Sequence, residues 1–206
     1  MILIHSTSAD FYTAELNNLA ASSKRGDVIL RCILSALSTK NNQPSSSDFG
    51  IWVFFNQNEH GPQQSLLLDD GTGLPNEIRN EIQLCSFLQP IIVSRSAKEE
   101  DTEFEITKEN IKIYKKTISH AIKLLRNQKY LFMMLDEHGI QHSLEEIAQL
   151  SRQNEKIVFI LGDQVGVSTE IIRFLSEFKI EPIKISLGPV SYLTSQCISI
   201  LRLLFR

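Results

Sequence analysis

The chain has 206 residues, 21 Lys plus Arg against 24 Asp plus Glu, and a formal net charge of -3. Its 42% hydrophobic and 22% charged composition excludes wholesale disorder and sets the scale of one domain over residues 1–206. No apolar run reaches the roughly 20 residues of a membrane-spanning helix, and the three cysteines form no CxxC pair for a zinc site or disulfide framework.

The opening MILI reads as a short strand. The start lacks the basic region and apolar length of a signal peptide, so the expected location is cytoplasmic. A helix follows over about 13–21. GDVILRCILSAL, 26–37, is Leu- and Ala-rich and apolar on more than one side, which predicts a buried helix. NNQPSSS, 41–47, is a polar loop. IWVFF, 51–55, and SLLL, 65–68, predict buried strands, the second ended by DDGTG. Pro75 suits the first turn of a helix over 75–88.

An acidic stretch, AKEEDTEFE, occupies 97–105. Ile111, Tyr114, Ile118, Ile122 and Leu125 then recur at spacings of three and four, predicting one helix with one apolar face. YLFMML, 130–135, predicts a central strand. Ser143 with Glu146 matches a capping box, opening a helix to about 152. KIVFIL, 156–161, predicts a strand, and Ser168 caps a helix through Phe178. A final strand, 182–187, precedes a final helix, 192–205. Strands alternating with helices through the second half predict an α/β fold with a mainly parallel sheet.

Several catalytic templates are absent from the sequence. It has no GxSxG elbow, no HExxH and no GxxxxGK[ST] phosphate loop. GDQVG at 162–166 lacks the GxGxxG spacing and by itself reads as a turn. His138 and His142 are four apart, but no further ligand joins them at metal spacing, so no metal is expected.

Charge is unevenly distributed. Between Thr107 and Lys129 stand Lys108, Lys112, Lys115, Lys116, Lys123, Arg126 and Lys129 against Glu109 alone, so this segment carries +6 and the rest -9. A solvated helix face explains this, and so does a phosphate-contacting surface with Lys112, Lys115 and Lys116 as RNA-binding candidates. At the C-terminus, ISLGPVSY (185–192) joins a strand to a helix through a Gly-Pro turn. Freed backbone groups there suit the edge of a purine ring, although an ordinary turn reads the same way. Cys197 on the following helix reads as a core cysteine.

Taken together, FILGDQVG (159–166), ISLGP (185–189) and SQC (195–197) resemble the TrmY family, tRNA pseudouridine-54 N1-methyltransferases of the SPOUT superfamily. LDEHG (135–139) is similar to the family's Leu-x-x-x-Gly at a strand end, and RGDVILRC (25–32) to an R-x-D-x-x-x-R-C helix of archaeal members. The segment 74–88 sits where the family has a helix rich in acidic and basic residues. Two departures stand out. The Pro-Gly-Ile-x-Val strand motif is absent before the basic segment, and Gln164 replaces the common His.

The resemblance implies a SPOUT-type α/β knot, a mainly parallel sheet with a C-terminal deep trefoil knot. Residues 131–206 would build the knot and hold S-adenosylmethionine, and residues 1–130 would present RNA-facing elements. By position Leu135, Gly162, Leu187, Gly188, Pro189, Val190, Ser191, Tyr192 and Cys197 would line the cofactor pocket, mostly through backbone groups. It also implies a homodimer through the C-terminal knot helix, and tRNA as partner. The implied reaction is methyl transfer to N1 of a T-loop pseudouridine, with Asp27 orienting the base or taking its proton. Arg31, one helical turn on, would stabilise charge on the uracil or hold a phosphate. A capping Asp27 paired with Arg31 is the plainer account of those two residues. A different RNA target, ribose 2′-oxygen methylation, and a non-catalytic knot protein stay open as alternatives.

Overall fold

The computed structural model describes residues 1–37, 49–56, 64–68, 74–75, 77–95, 104–106, 111–114, 117–141, 146–147, 149–150, 156–188 and 190–204. Its apolar runs become strands because both of their faces are covered. β1 (Ile2–Ser6), β2 (Ile51–Phe55) and β3 (Gln64–Leu68) are buried at every position, and strands covered on both faces read as near-continuous apolar sequence. They join β4 (Phe104–Ile106), β5 (Ile111–Tyr114), β6 (Leu131–Gln141), β7 (Ile157–Leu161) and β8 (Ile183–Ser186) in one sheet, ordered β4-β5-β3-β2-β1-β7-β6-β8. The run from β2 to β8 is parallel, and β3, β5 and β4 extend one edge antiparallel.

Helices fully within the described residues are α1 (Leu19–Ser22), α2 (Gly26–Leu37), α3 (Glu81–Arg95), α4 (Ile118–Asn127), α5 (Thr169–Glu177) and α6 (Thr194–Leu204). Successive strand residues point to opposite faces, and the core divides accordingly. Ile2, Ile4, Val53 and Phe159 share a cluster with Leu30 and Ile33 of α2, Leu84 and Leu88 of α3, and Ile198 and Leu201 of α6. Leu3, Trp52, Phe54, Val158 and Ile160 share the other with Ile118 and Ile122 of α4 and Ile171 and Leu175 of α5. Helix α2 is buried beyond one stripe because it contacts both α3 and α6. No helix among the described residues is long and apolar enough to cross a membrane.

The basic segment departs from the single predicted helix. Ile111–Tyr114 is β5, paired with β3 and β4, and the helix begins only at Ile118, capped by the Thr117 hydroxyl. IKIY fits strand alternation as well as helical spacing, and its two strand partners decide between them. Helix α3 starts at Glu81, not Pro75, because the Asn80 side chain accepts the Gln83 N–H at 2.9 Å, and it continues through Pro90 to Arg95. The first predicted helix is split into a 3-10 turn, Leu16–Asn18, and the short α1. Lys115, Lys116, Ser143 and Pro189 lie outside the described residues; Glu146 and Ile147 are helical.

Three helices end in the same closure. Lys24 (φ 49°), Lys129 (φ 62°) and Lys179 (φ 54°) follow α1, α4 and α5 in left-handed backbone. The next N–H then reaches back to the helix, from Arg25 to Ala20 O, Tyr130 to Leu125 O and Ile180 to Leu175 O. The pattern satisfies end carbonyls, but left-handed backbone costs an L-residue about 1–2 kcal/mol that glycine escapes. After α1 alone a second residue, Arg25 (φ 69°), adopts it too.

Candidate functional site

Open α/β sheets bind ligands outside the carboxyl ends of their parallel strands. At that edge the turns after β6, β7 and β8 and the start of α2 enclose a cleft of about 840 Å³, within the range of small-molecule and cofactor sites.

The turn after β7 is the most constrained. A Cβ on Gly162 would lie 2.2 Å from the Gly166 carbonyl carbon, so only glycine lets the chain double back here. Asp163, buried, accepts the Val165 N–H at 2.8 Å through one oxygen and the Thr7 N–H at 3.3 Å through the other. Gly166 (φ 106°) completes the reversal. The Thr194 hydroxyl donates to Gly162 O at 2.6 Å, which ties the start of α6 to this turn.

The turn after Leu135 sits on a break in the sheet. β6 and β8 pair up to Leu135↔Ile185 and resume at Ile140↔Ile185, so Asp136–Gly139 loops out into the cleft wall. A Cβ on Gly139 would stand 3.0 Å from the Ile185 carbonyl carbon and from Asp136 O. Asp136 accepts the His138 N–H at 3.0 Å and stands 3.4 Å from Lys184 Nζ. The backbone N–H, helped by that ammonium, holds its carboxyl below the usual range. After β8, the Ser186 hydroxyl donates to Gly188 O at 3.0 Å, and Gly188 has φ 139°.

On the opposite wall α2 contributes Arg25, Val28 and Arg31. Asp27 lies behind the two arginines, its side chain 12% exposed, with Oδ1 3.0 Å from Arg25 Nε and Oδ2 3.7 Å from Arg31 Nη2. Arg31 Nε donates to Glu81 Oε1 at 2.8 Å.

The cleft therefore brings together Leu135, Gly162, Leu187, Gly188, Val190, Ser191, Tyr192 and Cys197 with Arg31, while Asp27 stands one layer back. Lys112 is elsewhere. It pairs through β5 with Leu67 and Glu105, four strands from β7, or roughly 19 Å at ordinary strand spacing. Sequence reading assigned no role to Arg25, Glu81, Asp136, Asp163 or Thr194. Arg25, Asp136 and Asp163 lie within the RGDVILRC, LDEHG and FILGDQVG segments, and Asn80-x-x-Gln83 is a capping pattern that places Glu81 at a helix start.

Fold and cleft define an α/β protein with a cofactor-sized cleft across three strand-end turns. A family model described as "Putative SAM-dependent RNA methyltransferase" matches residues 2–204, and the chain belongs to that family of S-adenosylmethionine-dependent RNA methyltransferases. It is similar to the tRNA (pseudouridine(54)-N(1))-methyltransferase of Methanococcus aeolicus, 25% identical over 191 residues, 90% of this chain and 86% of that one. The protein of the same name from Pyrococcus abyssi is 31% identical over 72 residues, 35% of this chain and 31% of that one. The structure of Archaeoglobus fulgidus Nep1 bound to S-adenosylhomocysteine shares the fold, with a TM-score of 0.61, 14% identity, and coverage of 99% of this chain and 95% of that one.

Proposed function

We propose that this methyltransferase acts on N1 of pseudouridine 54 in the T-loop of tRNA. The observation that carries the reading is likeness across 90% of the chain to a relative named for that reaction. The cleft suits the cofactor. Its turns offer backbone groups and small or apolar side chains to an adenosine, and Gly188 leaves open space where a Cβ would stand. S-adenosylmethionine, when bound, supplies an electrophilic methyl group on its sulfonium. The residues at Leu135, Gly162 and Leu187–Tyr192, with Cys197, would hold it.

Pseudouridine N1 carries a proton that must leave as the methyl arrives, and the base must be out of its stack. In this reading Arg31 offsets negative charge growing on a uracil carbonyl. Asp27, behind Arg31, fixes its position or accepts the N1 proton. A deep trefoil knot and a homodimer through α6 belong to the same reading. Leu193 and Leu203, 61% and 64% exposed, are side chains that a second subunit would cover.

Labelled S-adenosylmethionine with tRNA transcripts carrying uridine or pseudouridine at position 54 tests the proposal. Label is expected only in the pseudouridine transcript, on the base. Equal labelling of both transcripts, or label on ribose, overturns it in favour of another RNA methylation.

A further inference from the structure

Arg25 is the second left-handed residue of the short joint between α1 and α2, where its carbonyl accepts the Val28 N–H at 3.1 Å as α2 begins. The closures after α4 and α5 use one left-handed residue each, whereas the closure after α1 uses Lys24 and then Arg25. Glycine would relieve that conformation, so a side chain is kept at a backbone cost. Strain of this kind concentrates at functional positions.

The side chain reaches the cleft. Arg25 Nε and Nη2 donate to the two Asp27 oxygens at 3.0 and 3.4 Å. A guanidinium has five N–H donors, so three remain unengaged among the described residues, on a side chain 51% exposed at the cleft wall. Arg31 differs, being engaged by Glu81 as well as Asp27. Lys24, the preceding residue, is also exposed, but its ammonium stands 3.9 Å from Asp10 Oδ2 and does not line the cleft.

We propose that Arg25 grips a phosphate of the RNA strand whose base enters the cleft, with Asp27 aiming its fork. The inference rests on the RNA-methyltransferase reading and names a backbone contact for it. A planar fork with free N–H groups matches phosphate oxygens bidentately. A bound cofactor's carboxylate would be the other anion at the site, and the half-exposed position of the Arg25 side chain favours the RNA.

The experiment compares wild type, Arg25→Gly and Arg25→Lys for binding of a tRNA transcript across a salt series, binding of S-adenosylmethionine, and Tm. Arg25→Gly is expected to stay folded, checked by Tm, to bind S-adenosylmethionine as wild type does, and to bind tRNA about tenfold more weakly. Its salt slope should fall by about one phosphate contact. Arg25→Lys should keep the slope and recover part of the affinity. Unchanged tRNA affinity and slope in Arg25→Gly, or a loss confined to S-adenosylmethionine, overturns the assignment while leaving the RNA reading intact. A wild-type protein that binds no tRNA removes both.

Discussion

Arg31 and Glu81 are joined by a 2.8 Å hydrogen bond from Nε to Oε1, which links the first half of α2 to the start of α3. With Asp27 Oδ2 3.7 Å from Nη2, the guanidinium is held from two helices at once. The bond pushes the Arg31 value further up and holds the Glu81 carboxyl below its usual range.

A first prediction concerns acid. The folded-state value of Glu81 is depressed, so its stabilisation is full above the ordinary glutamate value and fades as pH falls through the depressed one. Both side chains are part-exposed, which limits the effect to well under about 1 kcal/mol. Glu81→Gln should be slightly less stable than wild type at pH 7, and the two should converge only once pH falls below the depressed Glu81 value. Chemical denaturation at several pH values measures this. A gap that stays constant into acid means the pair contributes nothing ionic.

Chemistry and binding should separate at the same place. Arg31→Ala and Asp27→Ala should bind S-adenosylmethionine normally and lose most methyl transfer. Glu81→Ala should lower kcat by about tenfold, because Arg31 loses one of its two anchors. Calorimetry and initial rates together check it, and normal turnover in both Arg31→Ala and Asp27→Ala removes their assigned roles.

The turn after β7 predicts a contrast between two glycines. Gly162→Ala forces a methyl into the Gly166 backbone, and neither side has a flexible atom to move. A loss of about 3 kcal/mol or more is expected, with loss of cofactor binding. Gly166→Ala meets nothing within 4 Å and bears only the left-handed strain of φ 106°, about 1–2 kcal/mol. Denaturant midpoints of the two variants rank them, and equal losses contradict the geometry.

The lysine closures predict easy stabilisation. Lys129→Gly and Lys179→Gly each remove left-handed strain at an exposed position. Glycine's greater unfolded-state entropy offsets part of the gain, leaving about 0.5–1 kcal/mol apiece, or roughly 1–4 °C in Tm for a chain of this size. Calorimetry of the single and double variants should show near-additive shifts, since the closures follow different helices.

Legibility varied with the kind of force involved. IWVFF and KIVFIL announced β2 and β7 because a strand covered on both faces has to be apolar throughout. FILGDQVG showed in sequence because its glycine is forced by a backbone approach that no other residue survives. By contrast, β5 was hidden: Ile111, Tyr114 and Ile118 fit helical spacing, and only pairing with Leu66 and Leu68 reveals Ile113 and Ile111 as strand residues. Arg31–Glu81 was invisible for a related reason, since fifty residues separate its partners and no local pattern records the meeting. Lys112 illustrates the cost, because the spacing from Ile111 onward assigned it to a helix whose first residue is Ile118.

Thiol chemistry offers a last check on the cleft wall. Burial pushes the Cys197 thiol up to about 11 and that of Cys32 to about 12. At pH 8 about one Cys197 in a thousand is then thiolate. Alkylation of the native protein should be far slower than that of a free thiol and should rise about tenfold per pH unit until near pH 10. Rapid labelling of Cys197 at pH 7 means that its surroundings are wetter than the half-buried site described.

The placement of β1 has a consequence for synthesis. β1 lies between β2 and β7, with Ile2 opposite both Ile51 and Phe159. A chain emerging amino-end first makes this apolar strand early, yet the second edge of β1 waits until β7 has left the ribosome. Pairing over such a separation folds slowly and leaves an open edge meanwhile. The cleft, whose turns follow β6, β7 and β8, therefore assembles only after β8 has been made, and until then the open edge of β1 is exposed to wrong pairing.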